Sequence, residues 1–190
     1  MSAPAPLFPV FLKLTDRPVV IVGGGAVATT KLSALLAADA RVTVVAPEVS
    51  RRIAESGVTI RCRRFEASDL DEAWLVVAAA PRAVNRAVAA AAEHRRVFVN
   101  AVDDPPNASA YLGGVVRQGG VTVAISTDGQ APALAGLIRQ ALETLLPEEE
   151  VKRWLSVARD ERAAWIATGV PMEQRRPLLL RALESLYNDP

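Results

Sequence analysis

Four β-branched residues, Val19-Val20-Ile21-Val22, run straight into Gly23-Gly24-Gly25, and apolar residues at helical spacing (Val27, Leu32, Leu35, Leu36) follow at once. A strand that is apolar at every position is buried on both faces, which points to a parallel sheet covered by helices on each side. The next hundred residues keep this rhythm. Arg41–Val45 reads as a second strand, Glu48–Ser56 as a short helix and Thr59–Cys62 as a weak edge strand. Trp74–Ala79 is a buried strand, Pro81 opens an Ala-rich helix ending near His94, and Val97–Asn100 is another strand.

After Asp103 the pattern changes. Asp104-Pro105-Pro106-Asn107 can continue neither a helix nor a central strand. Tyr111–Arg117 and Val121–Ser126 flank Gln118-Gly119-Gly120, which predicts a hairpin with a turn of about three residues. Pro132 opens a helix with Leu134, Leu137, Ile138, Leu142 and Leu145 on one stripe. Glu148-Glu149-Glu150 suits the positive end of the following helix. Gly169-Val170-Pro171 breaks that helix, and a last one runs over about 173–187. The expected architecture is α/β: a Rossmann-type parallel sheet over 1–112, a hairpin-plus-helix dimerisation element over 113–146 and a small helical C-terminal domain over 147–190. Two strands alone are marginal in water, so the hairpin is expected to find its partner surface on a second copy of the chain, as a homodimer.

Three motifs carry chemistry. Gly23-Gly24-Gly25-Ala26-Val27-Ala28 fits G-x-G-x-x-A between strand and helix. Gly23 would allow the tight turn, Gly25 the close approach of a pyrophosphate, and Ala28 close helix–strand packing, with the helix N-terminus supplying N–H donors and a partial positive charge. The end of the second strand reads Val45-Ala46-Pro47-Glu48, so Ala46 stands at the usual acidic position and Glu48, two residues later, could still reach the ribose hydroxyls. Arg51 and Arg52 lie close enough to meet a 2′-phosphate, and the motif alone leaves NAD and NADP both open. Glu48 would repel that phosphate, and the expectation is NAD. Asn100-Ala101-Val102-Asp103-Asp104-Pro105 follows a strand ending on the same sheet edge as the glycine loop. There Asp103 could exchange a proton while hydride leaves a bound substrate. The competing reading of this segment is an Asp-Pro turn that only exits the sheet.

Composition narrows the classes. Apolar residues make up 51% of the 190-residue chain and charged residues 23%, which is globular rather than disordered. The net charge of +1 argues against a globally basic nucleic-acid binder. Cys62 and His94 are the sole cysteine and histidine, so neither a disulfide framework nor a Cys/His metal cluster is expected, and no resident metal. His94 reads as a cation at a helix C-terminus, and Cys62 as packing. No apolar run is long enough for a membrane helix. Pro4, Pro6 and Pro9 interrupt the N-terminal apolar stretch, which does not read as a secretion signal. The expectation is a cytoplasmic protein with no nucleic-acid or membrane partner.

Val-Gly-Gly-Gly (22–25), Val-Ala-Pro-Glu (45–48), Asn-Ala-Val-Asp-Asp-Pro (100–105) and Ala-Ile-Ser-Thr-Asp-Gly-Gln-Ala-Pro-Ala-Leu-Ala (124–135) occur in one order. Together they resemble the precorrin-2 dehydrogenases, the family that includes the N-terminal module of siroheme synthase, over residues 7–146. The resemblance implies NAD-dependent oxidation of a tetrapyrrole, precorrin-2, to sirohydrochlorin. In some members it also implies insertion of ferrous iron. It implies Asp103 as the essential carboxylate, Gly23, Gly25, Ala26 and Val27 at the pyrophosphate, and Pro47 and Glu48 on the adenosine side. Ser126, Thr127 and Gly129 would lie beside the tetrapyrrole. Thr127 stands where some members have serine. Asn100 and Arg117 are further substrate-binding candidates, Arg117 with Arg139 as cations for the carboxylate rim. No methyltransferase module follows the matched region, as in a free-standing form. The competing functions are a non-catalytic NAD-sensing module and a dehydrogenase of another small substrate. A sensor would need the glycine loop but neither Asp103 nor the 124–135 motif.

Overall fold

A computed structural model describes residues 6–188; Pro4 lies outside them. The chain forms two compact units, one ending at Leu112 and the other beginning at Gly113. In the first, β1 (Pro18–Val22), β2 (Arg41–Val45), β3 (Thr59–Arg61), β4 (Leu75–Ala78) and β5 (Phe98–Ala101) form one sheet in the order β3-β2-β1-β4-β5. Every pairing is parallel. The apolar run of β1 is used on both faces. Val19 and Ile21 pack with Leu32 and Leu35 of α1 (Ala26–Leu36), while Val20 and Val22 pack with Val88 and Ala92 of α3 (Arg82–Arg95). Ala-rich stretches suffice for this core because helices with small faces lie close on a β-branched sheet.

The short helix α2 (Arg51–Ala54) is tighter than the sequence suggests. Ser50 caps it by accepting from Ile53 N–H, and Pro47 and Glu48 stay outside it in a bend. β3 ends at Arg61, so Cys62 lies beyond the strand and is exposed rather than packed. His94 is exposed in the last turn of α3, beside Arg95.

The sheet edge carries one buried charge. The Asp69 carboxylate accepts from Arg61 Nη1 (2.5 Å), from Arg63 Nη1 and Nη2 (2.9 and 2.6 Å) and from Glu66 N–H (2.9 Å). Burial pushes this carboxyl up, and the bonds from Arg63, Glu66 N–H and Arg61 outweigh it, holding the group below its ordinary value. The stability it contributes is therefore complete above the usual carboxylate range and is lost as pH falls through the lowered folded-state value. Asp69→Ala also strands the Glu66 N–H and should lower the unfolding free energy by about 2 kcal/mol. The urea midpoint at neutral pH measures this, and the difference from the parent should shrink in acid.

In the second unit, β6 (Gly114–Gln118) and β7 (Val121–Ile125) pair antiparallel. The turn is one residue shorter than the sequence predicts. Gln118 pairs with Val121, leaving Gly119 (φ 57°) and Gly120 (φ 89°) as a type I′ pair that matches the strand twist. Strand β6 begins at Gly114 rather than Tyr111, and at Gly113 the backbone lies so close to the Ile125 carbonyl that a Cβ would meet its oxygen at 1.9 Å. Three helices complete the unit: α4 (Pro132–Leu145), α5 (Glu148–Thr168) and α6 (Met172–Asn188). The hairpin is not isolated within its own chain. A Cβ on Gly119 would stand 2.7 Å from Lys152 N, so the turn seats against the first turns of α5. Trp165 is buried, whereas Trp154 is half-exposed and its Nε1 donates to Tyr187 Oη (2.6 Å).

Candidate functional site

The strands of the first unit end together, and the loops that leave them build a cleft. Strand order reverses between β1 and β4, the place where open parallel sheets hold ligands. The cleft has a volume of about 380 Å³ and is lined by Val27, Ala79, Ala80, Arg82, Asn85, Val102, Asp103 and Asp104.

The glycine loop forms one side. A Cβ on Gly23 (φ 125°) would stand 2.2 Å from the Ala79 carbonyl oxygen, and one on Gly24 would stand 1.9 Å from that of Glu48. At Gly25 a Cβ would meet nothing within 4 Å. The first two glycines are thus required by the protein's own backbone, and the third leaves open space. Helix α1 starts there with no side-chain cap and no acidic residue in its first turn. The N–H groups of Ala26, Val27 and Ala28 precede the first intrahelical bond, from Thr29 N–H to the Gly25 carbonyl. Uncapped donors, the positive helix end and an open Gly25 fit a pyrophosphate. Ala28 is fully buried against the sheet, the packing role its motif position requires.

Pro47 and Glu48 are exposed beside this loop, tied to it by Ser50 N–H donating to the Gly24 carbonyl (2.8 Å). Thr29 Oγ1 and Ser50 Oγ are 2.8 Å apart. Neither residue stood out in the sequence, although a hydroxyl one turn into a glycine-loop helix is a readable signal.

Opposite the glycines lies the turn after β5. Asp103 is exposed and has φ 55°, a left-handed conformation that aspartate tolerates better than most residues. Asp104 turns inward and is 2% exposed. Its Oδ2 accepts from Asn107 Nδ2 (2.8 Å), while its Oδ1 has no hydrogen-bond partner among the described residues. Arg82 Nη2 stands 4.0 Å from that oxygen. Asn85, buried in α3, accepts from Ala80 N–H (3.0 Å) and so fixes the β4–α3 turn. One polar residue on an otherwise apolar helix face was the available sign of this. Asn100 is buried in β5 and does not line the cleft; its Nδ2 donates to the Ala110 carbonyl (2.9 Å).

The remaining candidates lie in the second unit. Ser126 Oγ accepts from Asp128 N–H (3.0 Å), and Thr127 Oγ1 accepts from Ala131 N–H (3.1 Å). These hydroxyls shape the loop before α4, in which Gly129 has φ 74°. Arg117 is exposed on β6, and Arg139 is paired with Glu143. Among the described residues no three His, Cys, Asp or Glu side chains gather as metal ligands, and no helix is long and apolar enough to cross a membrane.

A family model described as putative NAD(P)-binding matches residues 10–114, and one described as the central part of a sirohaem biosynthesis protein matches 118–145. Siroheme synthase of Methylobacillus flagellatus is 39% identical over 186 residues, covering 87% of this chain and 40% of that protein. Siroheme synthase of Photobacterium profundum is 37% identical, covering 95% of this chain and 39% of that protein. The chain thus spans about two-fifths of the length of these relatives. Among solved structures, SirC, a precorrin-2 dehydrogenase, superposes with a TM-score of 0.69 at 26% identity, over 92% of this chain and 88% of that one.

Proposed function

The chain belongs to the putative NAD(P)-binding family, and from that membership we propose that it is an NAD-dependent dehydrogenase that oxidises precorrin-2 to sirohydrochlorin. The observation that carries the proposal is the cleft itself, which sets the Asp103 turn and the first turn of α1 on one sheet edge. The names of its relatives and of its structural neighbour support the substrate.

The oxidation removes a hydride and a proton from the macrocycle. When bound, NAD supplies the hydride acceptor. The N–H groups of Ala26, Val27 and Ala28 would hold its pyrophosphate, Gly25 would leave it room while Gly23 makes the tight turn, and Pro47 with Glu48 would meet its adenosine side. Asp103 takes the proton through its carboxylate and, being exposed, passes it to water. Asn100, at the end of the strand that leads to Asp103, holds the following segment by donating to the Ala110 carbonyl. By the family resemblance Ser126, Thr127 and Gly129, and by its charge Arg117, are the further candidates for contacts to the tetrapyrrole. Ferrous iron, where a chelatase step occurs, enters as a substrate. The reducing cytoplasm suits the exposed thiol of Cys62. The test is anaerobic addition of NAD and precorrin-2 with the absorption spectrum followed. NADH and sirohydrochlorin should appear in equal amounts, and an unchanged spectrum would refute the reading.

The active form is a homodimer built on β6, β7 and α4. The apolar stripe of α4 supports this: Leu134, Leu137, Ile138 and Leu145 are exposed, Leu145 by 70%, while α4 packs on its own hairpin through Ala135. A row of leucines at helical spacing facing water marks an association surface. Sedimentation equilibrium at micromolar concentration should give twice the chain mass, and Leu137→Glu should give a monomer.

A further inference from the structure

We propose that Arg82, held over the cleft by the buried Asp104, binds a carboxylate of the tetrapyrrole substrate. The inference rests on the dehydrogenase reading above and adds a residue that selects and orients the anionic macrocycle. Asp104 is a buried carboxylate whose Oδ1 faces no donor within bonding distance, an arrangement that is costly unless a charge stands close by. That charge is Arg82, 4.0 Å away, the first residue of α3 and part of the cleft lining together with Asp103. The Arg82 side chain is 77% exposed, so the contact with Asp104 leaves it accessible to a second partner. A guanidinium has five N–H donors and can bond one carboxylate behind it and another in front. Asp104 therefore acts as a positioning residue. It limits where Arg82 can swing and keeps the cation beside the Asp103 turn, where a carboxylate of an approaching substrate would meet it. The N–H groups of the first turn of α3 add to the positive potential there.

The test is steady-state kinetics with precorrin-2 on Arg82→Ala, Arg82→Lys, Asp104→Asn and the Arg82→Ala/Asp104→Asn double variant, with NAD affinity measured separately by calorimetry. Arg82→Ala should raise KM for precorrin-2 by about ten- to a hundredfold, the worth of one charge-assisted pair, with a much smaller change in kcat. Arg82→Lys should recover part of that loss. Asp104→Asn should raise KM less, and should add nothing further in the Arg82→Ala background. A general folding defect would not produce that last result. If KM is unchanged in Arg82→Ala while the wild type turns over, this inference is wrong and the dehydrogenase reading stands. If NAD affinity falls instead, Arg82 serves the cofactor pyrophosphate and the substrate assignment is overturned. A wild type inert toward precorrin-2 removes the dehydrogenase reading, and this inference with it.

Discussion

Asp103→Asn should lower the rate of precorrin-2 oxidation by about 10²–10⁴-fold, the usual contribution of a general acid–base group. NAD affinity should change little. The substitution keeps the shape and the polarity of the side chain, and asparagine accepts the left-handed φ of 55° as readily as aspartate does. The fold should therefore survive. What is lost is the one group on this turn that is both exposed and able to hold a proton, since Asp104 is buried and committed to Asn107 and the Arg82 side. The measurement pairs single-turnover rates with calorimetric NAD binding. A normal rate would remove Asp103 from the chemistry, and a loss of NAD binding would show that the carboxylate supports the cofactor instead.

Much of the first unit could be read from its residues because each local preference agrees with the next. β-branched runs, a glycine loop and Ala-rich helices all demand a parallel sheet with two covered faces, and the sheet has that form. The second unit was less legible. The apolar stripe on α4 was legible, but its surroundings were not: Leu134, Leu137 and Leu145 are exposed, because periodicity shows that a face is apolar and not what covers it. The hairpin turn came out shorter because Gly119 and Gly120 both adopt positive φ, and Gln118 remains in the ladder. In the cleft, Asp103 was readable as a carboxylate just past a strand that ends on the same sheet edge as the glycine loop. The inward turn of Asp104 was not, since two adjacent aspartates before proline carry no sign of which is buried. Its neighbour Arg82 lies 22 positions earlier in sequence and meets it only through the adjacency of β4 and β5.

Two of the loop glycines, Gly24 and Gly25, should separate folding from binding. Gly24→Ala places a Cβ at 1.9 Å from the Glu48 carbonyl oxygen and 2.8 Å from Val49 Cα, both on backbone that Ser50 ties down through the Gly24 carbonyl. Neither atom can move without breaking that tie, so the substitution should destabilise by about 1–3 kcal/mol, the usual range for overpacking. Gly25→Ala differs in kind. Its φ of −86° is ordinary for any residue and its Cβ meets nothing within 4 Å, so thermal stability should stay within about 0.5 kcal/mol of the parent. The new methyl occupies the space in front of the uncapped first turn of α1, where a pyrophosphate would have to approach. NAD affinity should therefore fall by about tenfold or more, the loss of roughly one charge-assisted hydrogen bond. Thermal denaturation with and without NAD reads both quantities at once. The expected pattern is a lowered midpoint for Gly24→Ala, and for Gly25→Ala a normal midpoint that NAD no longer raises. A Gly25→Ala protein still stabilised by NAD like the parent would mean that the pyrophosphate does not lie on this loop.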